Sequence, residues 1–160
     1  MVMPFNADEV FEMAEQIERN GAKFYRAAAE KLSRAREVLL DLASMEDEHE
    51  KTFAAMRAEL SGKEVVKPVF DPDDEAQIYL RVMADQFVFN LKTDPAEQFV
   101  SKETAEDLLE MAIGVERDSI DFYIGMKGLV SSKADKDKVE AIIKEEISHI
   151  AILKKLEALE

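Results

Sequence analysis

Residues 12–25 read EMAEQIERNGAKFY and residues 110–123 read EMAIGVERDSIDFY, so one pattern occurs twice in the chain, 98 positions apart. Seven of the 14 positions are identical, and they include Glu18 and Glu116. Both glutamates fall where the helical spacing of apolar residues predicts a buried side chain. The repeat therefore indicates two similar halves, each of which directs a carboxylate inward.

Helical spacing of apolar residues continues along the chain, and it predicts five helices. Asn6 and Glu9 have the spacing of a capping box at the start of the first helix. Asp71-Pro72 is expected to open the third helix and Asp94-Pro95 to end it. No segment alternates apolar and polar residues as a strand would, so the expected fold is all-α. The helices are expected over residues of about 6–32, 33–61, 72–93, 101–129 and 136–160.

The repeat groups these helices into two hairpins within a single domain over residues 1–160. The first hairpin is expected over about 6–61 and the second over about 101–160, with the third helix inside a crossover of about 62–100. A long crossover lets the second hairpin run antiparallel to the first, as in one class of four-helix bundle. The expected architecture is therefore a four-helix bundle with an extra helix in its crossover.

The crossover helix carries more apolar residues than one contact stripe needs. Ile78, Val82, Val88 and Phe89 lie outside its main apolar face. A helix that is apolar over so wide an arc usually contacts two partners. We therefore expect this helix to pack along the bundle and to support a homodimer contact.

Four glutamates are expected at one level of the bundle. Glu18 lies about 15 residues before the turn at Ser33 and Glu46 about 13 after it, or about 22 and 20 Å along their helices. Glu116 and Glu146 have nearly the same relation to the turn near Ser132. Most of their helical neighbours are apolar, and four buried carboxylates would be costly if they were ionised and unpaired.

The chain has two histidines, and each follows a glutamate by three residues. Glu46-x-x-His49 and Glu146-x-x-His149 put an oxygen and a nitrogen donor on one face of each helix. Four carboxylates and two neutral imidazoles carry four negative charges, which two divalent cations would balance. Four-helix bundles bind di-iron and di-manganese centres with this ligand pattern, so the sequence predicts a two-metal site.

The motifs AEQIERNGAKFY, LASMEDEH, AIGVERDSIDFY and IIKEEISH resemble those of the ferritin-like superfamily, and most closely its rubrerythrin-like branch. The resemblance covers both hairpins. It implies that Glu18 and Glu116 are terminal ligands and that Glu46 and Glu146 bridge the metals. It also implies that His49 and His149 each complete the shell of one metal. Two iron ions are the expected cofactor, with manganese or zinc as alternatives.

The sequence departs from rubrerythrin at two points. No cysteine is present, so it holds no rubredoxin-type iron centre. Ser119 stands where rubrerythrin has an additional glutamate that is associated with an asymmetric site specialised for peroxide. The expected site is therefore the more symmetric one, with four glutamates and two histidines.

Tyr25 and Tyr123 lie seven residues after Glu18 and Glu116, on the same helical faces. They are candidates for hydrogen-bond donors that assist catalysis by holding ligand carboxylates. The alternative is that they are amphipathic core aromatics whose hydroxyls reach water.

The composition limits the partners. A net charge of −14 disfavours nucleic acid and anionic membrane surfaces. The chain has no apolar run long enough for a bilayer span and no basic leader, so a cytoplasmic location is expected.

These features together favour a non-haem di-iron oxidoreductase that reduces dioxygen or hydrogen peroxide while bound ferrous iron is oxidised. The external electron donor cannot be named from the sequence. Two alternatives stay open at this point: an iron-binding or storage protein, and a structural bundle whose site is vestigial or filled by zinc.

Overall fold

A computed structural model describes residues 5–60, 73–91, 104–130 and 132–159, with the side chains of 85–91 outside that description. These ranges form five α-helices and no strand, which confirms the all-α prediction. None of the described helices is both long and apolar enough to span a membrane. The helices are α1 (Ala7–Lys31), α2 (Arg36–Glu59), α3 (Glu75–Leu91), α4 (Ala105–Lys127) and α5 (Lys133–Leu159).

The first hairpin begins as its sequence predicts. Asn6 Oδ1 accepts a hydrogen bond from the Glu9 backbone N–H at 2.8 Å, and Glu9 Oε2 accepts one from the Asn6 N–H at 3.1 Å. This capping box confirms the predicted start of α1. The second helix begins at Arg36 rather than near Ser33, because residues 33–35 form the turn between α1 and α2.

In the second hairpin, α4 begins later in the sequence than expected and α5 begins earlier. Thr104 and Asp107 form a capping box, so α4 starts at Ala105 instead of about 101. Ser132 Oγ accepts from the Asp135 backbone N–H at 3.1 Å, so α5 starts at Lys133 instead of about 136. The expected bounds of α3 at Asp71-Pro72 and Asp94-Pro95 lie outside the described residues.

Two apolar clusters fill the bundle. The first apolar cluster joins the start of α1, the end of α2, α3, the end of α4 and the start of α5, and its large buried side chains include Phe53, Phe122 and Met126. The second apolar cluster joins the opposite ends of α1, α2, α4 and α5, with Leu39, Leu42 and Leu108 among its members. The midpoints of the four bundle helices lie between these clusters.

The helix α3 packs against α4 and α1, beside the first apolar cluster. Leu80 and Ala84 are buried there, and the Tyr79 hydroxyl donates to the Asp121 backbone carbonyl at 3.0 Å. Ile78 and Val82 are about half exposed on the other side. The bundle contact therefore exists, whereas the homodimer contact stays a prediction, and the side chains of Val88 and Phe89 lie outside the described residues.

Candidate metal centre

Six charged or titratable side chains lie buried between the two apolar clusters. Each is at most 3% exposed, although carboxylates and imidazoles are rarely buried without partners. The helices α1 and α4 each contribute one of these side chains. The helices α2 and α5 each contribute two, because the E-x-x-H spacing puts a glutamate and a histidine on one helical face. They are Glu18, Glu46, His49, Glu116, Glu146 and His149.

These six residues form two overlapping groups, each able to offer four ligand atoms within 4.8 Å of one another. One group contains Glu18 and His49, the other contains Glu116 and His149, and both contain Glu46 and Glu146. The two imidazole rings stack at a centroid distance of 5.8 Å and an angle of 17°. Shared glutamates between two complete groups are the arrangement that a bridged pair of metals requires.

Both histidines turn the same ring nitrogen inward. His49 Nδ1 lies 2.7 Å from Glu146 Oε1 and 3.5 Å from Glu18 Oε2. His149 Nδ1 lies 3.3 Å from Glu116 Oε1 and 3.5 Å from Glu46 Oε1. The Nδ1 atoms are therefore the nitrogens placed to bind metal, and the Nε2 atoms face outward.

The two buried tyrosines cross between the hairpins. The Tyr123 hydroxyl on α4 donates to Glu18 Oε1 on α1 at 2.5 Å, and the Tyr25 hydroxyl on α1 donates to Glu116 Oε1 on α4. This exchange shows that α1 and α4 run antiparallel at the level of the site. Burial, together with the nearby carboxylates, raises the pKa of both tyrosines well above the usual value, so both remain hydrogen-bond donors.

Glu18 and Glu116, which each belong to only one of the two groups, are protonated more easily than ordinary glutamates. Burial raises the pKa of Glu18 and Glu116 well above the ordinary range, and the negative charge of Glu46 adds to this effect. In the metal-free protein both carboxyls therefore favour the neutral form.

The two shared glutamates shift the other way. Burial alone would raise the pKa of Glu46, but the nearby carboxyl of Glu18 and imidazole of His149 lower it. For Glu146, burial and the charge of Glu46 act upward, but Glu116 and His149 prevail and lower its pKa. Both carboxylates are therefore ionised.

The imidazoles become cations in the absence of metal. Burial opposes their charge, but the surrounding carboxylates raise the pKa of His149 to about 12 and that of His49 well above its usual range. Two imidazolium cations then balance the two ionised carboxylates. A net charge near zero makes this burial tolerable.

Five polar atoms of the cluster fit metal ligation because none of them makes a well-oriented hydrogen bond among the described residues, although His49 Nδ1 and Glu146 Oε1 lie 2.7 Å apart. Most buried polar atoms in proteins make such hydrogen bonds, so five together at one point call for an explanation. Two metal ions would accept these lone pairs once the protons have left. The atoms are Nδ1 of His49, Nδ1 of His149, Oε2 of Glu116, and Oε1 and Oε2 of Glu146.

Some positions around the cluster are not predicted by the ligand spacing. A Cβ added to Gly21 would lie 3.5 Å from the Glu46 carboxyl carbon, an ordinary van der Waals distance, so the backbone of α1 passes close to a shared carboxylate here. Ser119 is the equivalent position in the second half, and its hydroxyl donates to the Val115 carbonyl of its own helix at 2.9 Å. Met45 and Glu145, which precede the shared glutamates, contact the outer nitrogens of the histidines.

Comparisons with known proteins agree with this arrangement. The chain is similar to a solved Thermotoga maritima structure whose description names it, provisionally, a ferritin-like diiron-carboxylate protein; the two share 24% identity over 99% of this chain and 98% of the other, with a TM-score of 0.67. That likeness shows the fold. No curated protein matches the sequence. The family model described as Rubrerythrin matches residues 9–157, so the chain belongs to the rubrerythrin family, and its two overlapping groups of glutamate and histidine support a di-iron site.

Proposed function

We propose that the protein is a non-haem di-iron oxidoreductase that reduces dioxygen or hydrogen peroxide. The observation that carries the proposal is the pair of buried four-residue groups that share Glu46 and Glu146. Bound ferrous iron would supply the electrons and return to the ferrous state through an external donor. The residues of the chain bind, orient and shield that pair.

The donor set favours iron. Carboxylate and imidazole ligands suit iron and manganese, and the chain has no thiolate that would favour zinc or copper(I). The four carboxylates, with both imidazoles neutral, carry the four negative charges that two divalent ions balance. Anionic oxygen ligands also stabilise the ferric state, as an iron centre that gives up electrons requires.

The tyrosines fix the two unshared carboxylates. Tyr123 occupies Oε1 of Glu18 and leaves Oε2 directed toward His49 Nδ1. Tyr25 occupies Oε1 of Glu116 in the same way and leaves Oε2 without a partner among the described residues. Hydrogen bonds of this kind orient ligands and keep them in one rotamer when the metal charge changes.

Burial favours a small oxidant. All six proposed ligands are at most 3% exposed, and apolar clusters lie on both sides of them. An apolar surrounding limits water and strengthens the electrostatic interaction between the metals and the carboxylates. Dioxygen and hydrogen peroxide are the small oxidants that suit such a site.

The test is ferrous oxidation by loaded protein, followed by absorbance after rapid mixing with dioxygen or with hydrogen peroxide. We expect the wild type and Glu48→Ala, a control at an exposed glutamate of α2, to oxidise iron alike and much faster than Glu146→Ala. Rereduction and repeated turnover would support the oxidoreductase. Oxidation that deposits many irons per chain would instead indicate storage, and oxidation no faster than that of free ferrous iron would contradict the proposal.

A further inference from the structure

The outer nitrogens of the two histidines have chemically different partners. His49 Nε2 makes a hydrogen bond with Glu145 Oε2 on α5. His149 Nε2 lies 3.2 Å from the Met45 sulfur on α2. Each histidine therefore contacts a residue of the opposite hairpin, but one meets a carboxylate and the other a thioether.

These two partners occupy equivalent positions in the repeat. Met45 directly precedes the shared Glu46, and Glu145 directly precedes the shared Glu146. The crossed contacts from 45 to 149 and from 145 to 49 show that α2 and α5 are antiparallel here. The difference is therefore a single side chain within matched surroundings.

The two partners affect the imidazole differently. A carboxylate accepts a strong charge-assisted hydrogen bond, which holds the proton on Nε2 and makes Nδ1 a better donor to metal. A thioether sulfur is a weak acceptor, so it holds the Nε2 proton less firmly and strengthens Nδ1 as a donor much less. His49 is therefore the stronger and better oriented of the two imidazole ligands.

Both partners lie at the surface. The Glu145 side chain is 61% exposed and Met45 is 43% exposed, whereas the histidines are buried. Exchange of either side chain therefore leaves the core packing in place. Solvent also screens the Glu145 contact, which places its effect at the lower end of the range known for such partners.

We propose that Met45 and Glu145 make the two metal positions unequal. The position formed with Glu18 and His49 binds a divalent metal more tightly and fills first, and the position formed with Glu116 and His149 fills second. Met45 and Glu145 act as positioning residues, because they reach the metals only through the imidazoles. The inference rests on the two-metal site of the proposed function but not on its redox reaction.

Zinc titration of metal-free protein tests this order without iron chemistry. Because the chain has only two histidines, selective ¹⁵N labelling gives two imidazole spin systems in the NMR spectrum. Glu145→Gln perturbs the Nε2 signal of His49 and Met45→Glu that of His149, which assigns both. We expect the Nδ1 resonance of His49 to shift with the first equivalent of zinc and that of His149 with the second.

The variants then change the order in a defined way. Glu145→Gln should weaken the first position about tenfold and bring the two transitions together. Met45→Glu should bring them together by strengthening the second position, and the double variant Met45→Glu with Glu145→Met should reverse the order. Glu140→Gln, at a half-exposed glutamate of α5 that pairs with Lys127, is the matched control and should leave both zinc transitions unchanged.

Three outcomes would overturn the inference. In the first, both Nδ1 resonances of the wild type shift together. In the second, the order and separation survive in Glu145→Gln and in the double variant. In the third, zinc binds at fewer than two equivalents in every protein; this result alone would also contradict the two-metal site itself.

Discussion

In the first hairpin the residue before the shared glutamate is Met45, and in the second it is Glu145, whereas both hairpins contribute the same residue types to the two candidate metal-binding groups. Each half supplies one unshared glutamate, one shared glutamate and one histidine. Because Glu46 and Glu146 each belong to both groups, a change at either one would alter both candidate metal positions. The residues that contact the outer histidine nitrogens, by contrast, differ between the two halves and each reach one group only.

The two ends of the bundle differ as well. The first apolar cluster is covered by α3 through Leu80 and Ala84, while the second apolar cluster contains only residues of the four bundle helices and the turn between α1 and α2 among those described. Gly125 of α4 makes the cover possible, because an added Cβ would lie 2.7 Å from the Tyr79 ring. Variants can therefore compare the two hairpins at their candidate ligands and at the outer contacts of the histidines, and the two ends of the bundle at their packing.

The largest effect is expected at the shared carboxylates, where the halves should behave alike. Glu46→Ala and Glu146→Ala each remove an oxygen donor from both groups, so each should cost both metals. We expect metal content near zero after desalting for either variant, with the helical circular dichroism retained. Full retention of both metals by one of them would break the equivalence and refute its bridging role.

Replacement of either unshared carboxylate should remove one bound metal per chain. Glu18→Gln and Glu116→Gln each remove a charged ligand from one group, so about one metal per chain should remain. The two variants should differ in which histidine stays free of metal, and the ring-nitrogen NMR signals would report that difference. Loss of both metals from either variant would show that the two positions fill only together.

The same variants should stabilise the metal-free protein at neutral pH. Because the pKa of Glu18 is raised above the ordinary 4.5 in the folded state, its contribution to stability is full below about pH 4.5 and is lost as the pH rises through the folded pKa. The amide introduced by Glu18→Gln does not titrate, so this variant, freed of metal by a chelator, should melt above the wild type at pH 8 by about 2–4 °C. The difference in melting temperature should shrink toward pH 5. A difference that is constant with pH, or reversed in sign, would contradict a raised pKa for Glu18.

Two glycines of α4 test how tightly α3 packs over the first apolar cluster. Gly125→Ala should lower the free energy of unfolding by about 1–3 kcal/mol, because the methyl group meets the Tyr79 ring that anchors α3. Gly114→Ala is its control: nothing lies within 4 Å of the added Cβ, so it should stabilise the helix by about 0.5–1 kcal/mol. Denaturant unfolding measures both, and effects of the same sign would contradict this packing.

The crossed tyrosines should have small and matched effects. Tyr25→Phe and Tyr123→Phe each remove a hydrogen bond worth about 0.5–1.5 kcal/mol and leave one carboxylate less well oriented. We expect metal affinity to fall about tenfold in both. Tyr79→Phe, which removes a hydroxyl bonded to the Asp121 backbone carbonyl and not to a candidate ligand, should leave the metal affinity unchanged. A strong difference between Tyr25→Phe and Tyr123→Phe would show that the two halves of the site are not equivalent.

Much of the fold is readable from local patterns. Helical spacing predicts all five helices, and the Asn6 and Glu9 pair predicts the start of α1 within a residue. The starts of α4 and α5 were available in the same way, from the spacing of Thr104 with Asp107 and of Ser132 with Asp135. Residue counts along α1 and α2 also predict that Glu18 and Glu46 lie at one level.

The outer contacts of the site depend on tertiary register, which local patterns do not contain. The sequence places Tyr25 on the face of Glu18, but its hydroxyl reaches Glu116 because α1 and α4 are antiparallel. In the same way, only the register between α2 and α5 pairs His49 with Glu145. Spacing within one helix predicts the candidate ligands, whereas the hydrogen-bond partner of each one depends on how two distant segments pack.

The most direct measurement is the iron content per chain of protein loaded anaerobically with ferrous iron and then desalted. A buried cluster of four carboxylates and two imidazoles predicts close to two irons per chain, because carboxylate-bridged four-helix bundles hold a metal pair with this ligand set. A value near zero would contradict the metal centre, and a value far above two would contradict a discrete pair of metals.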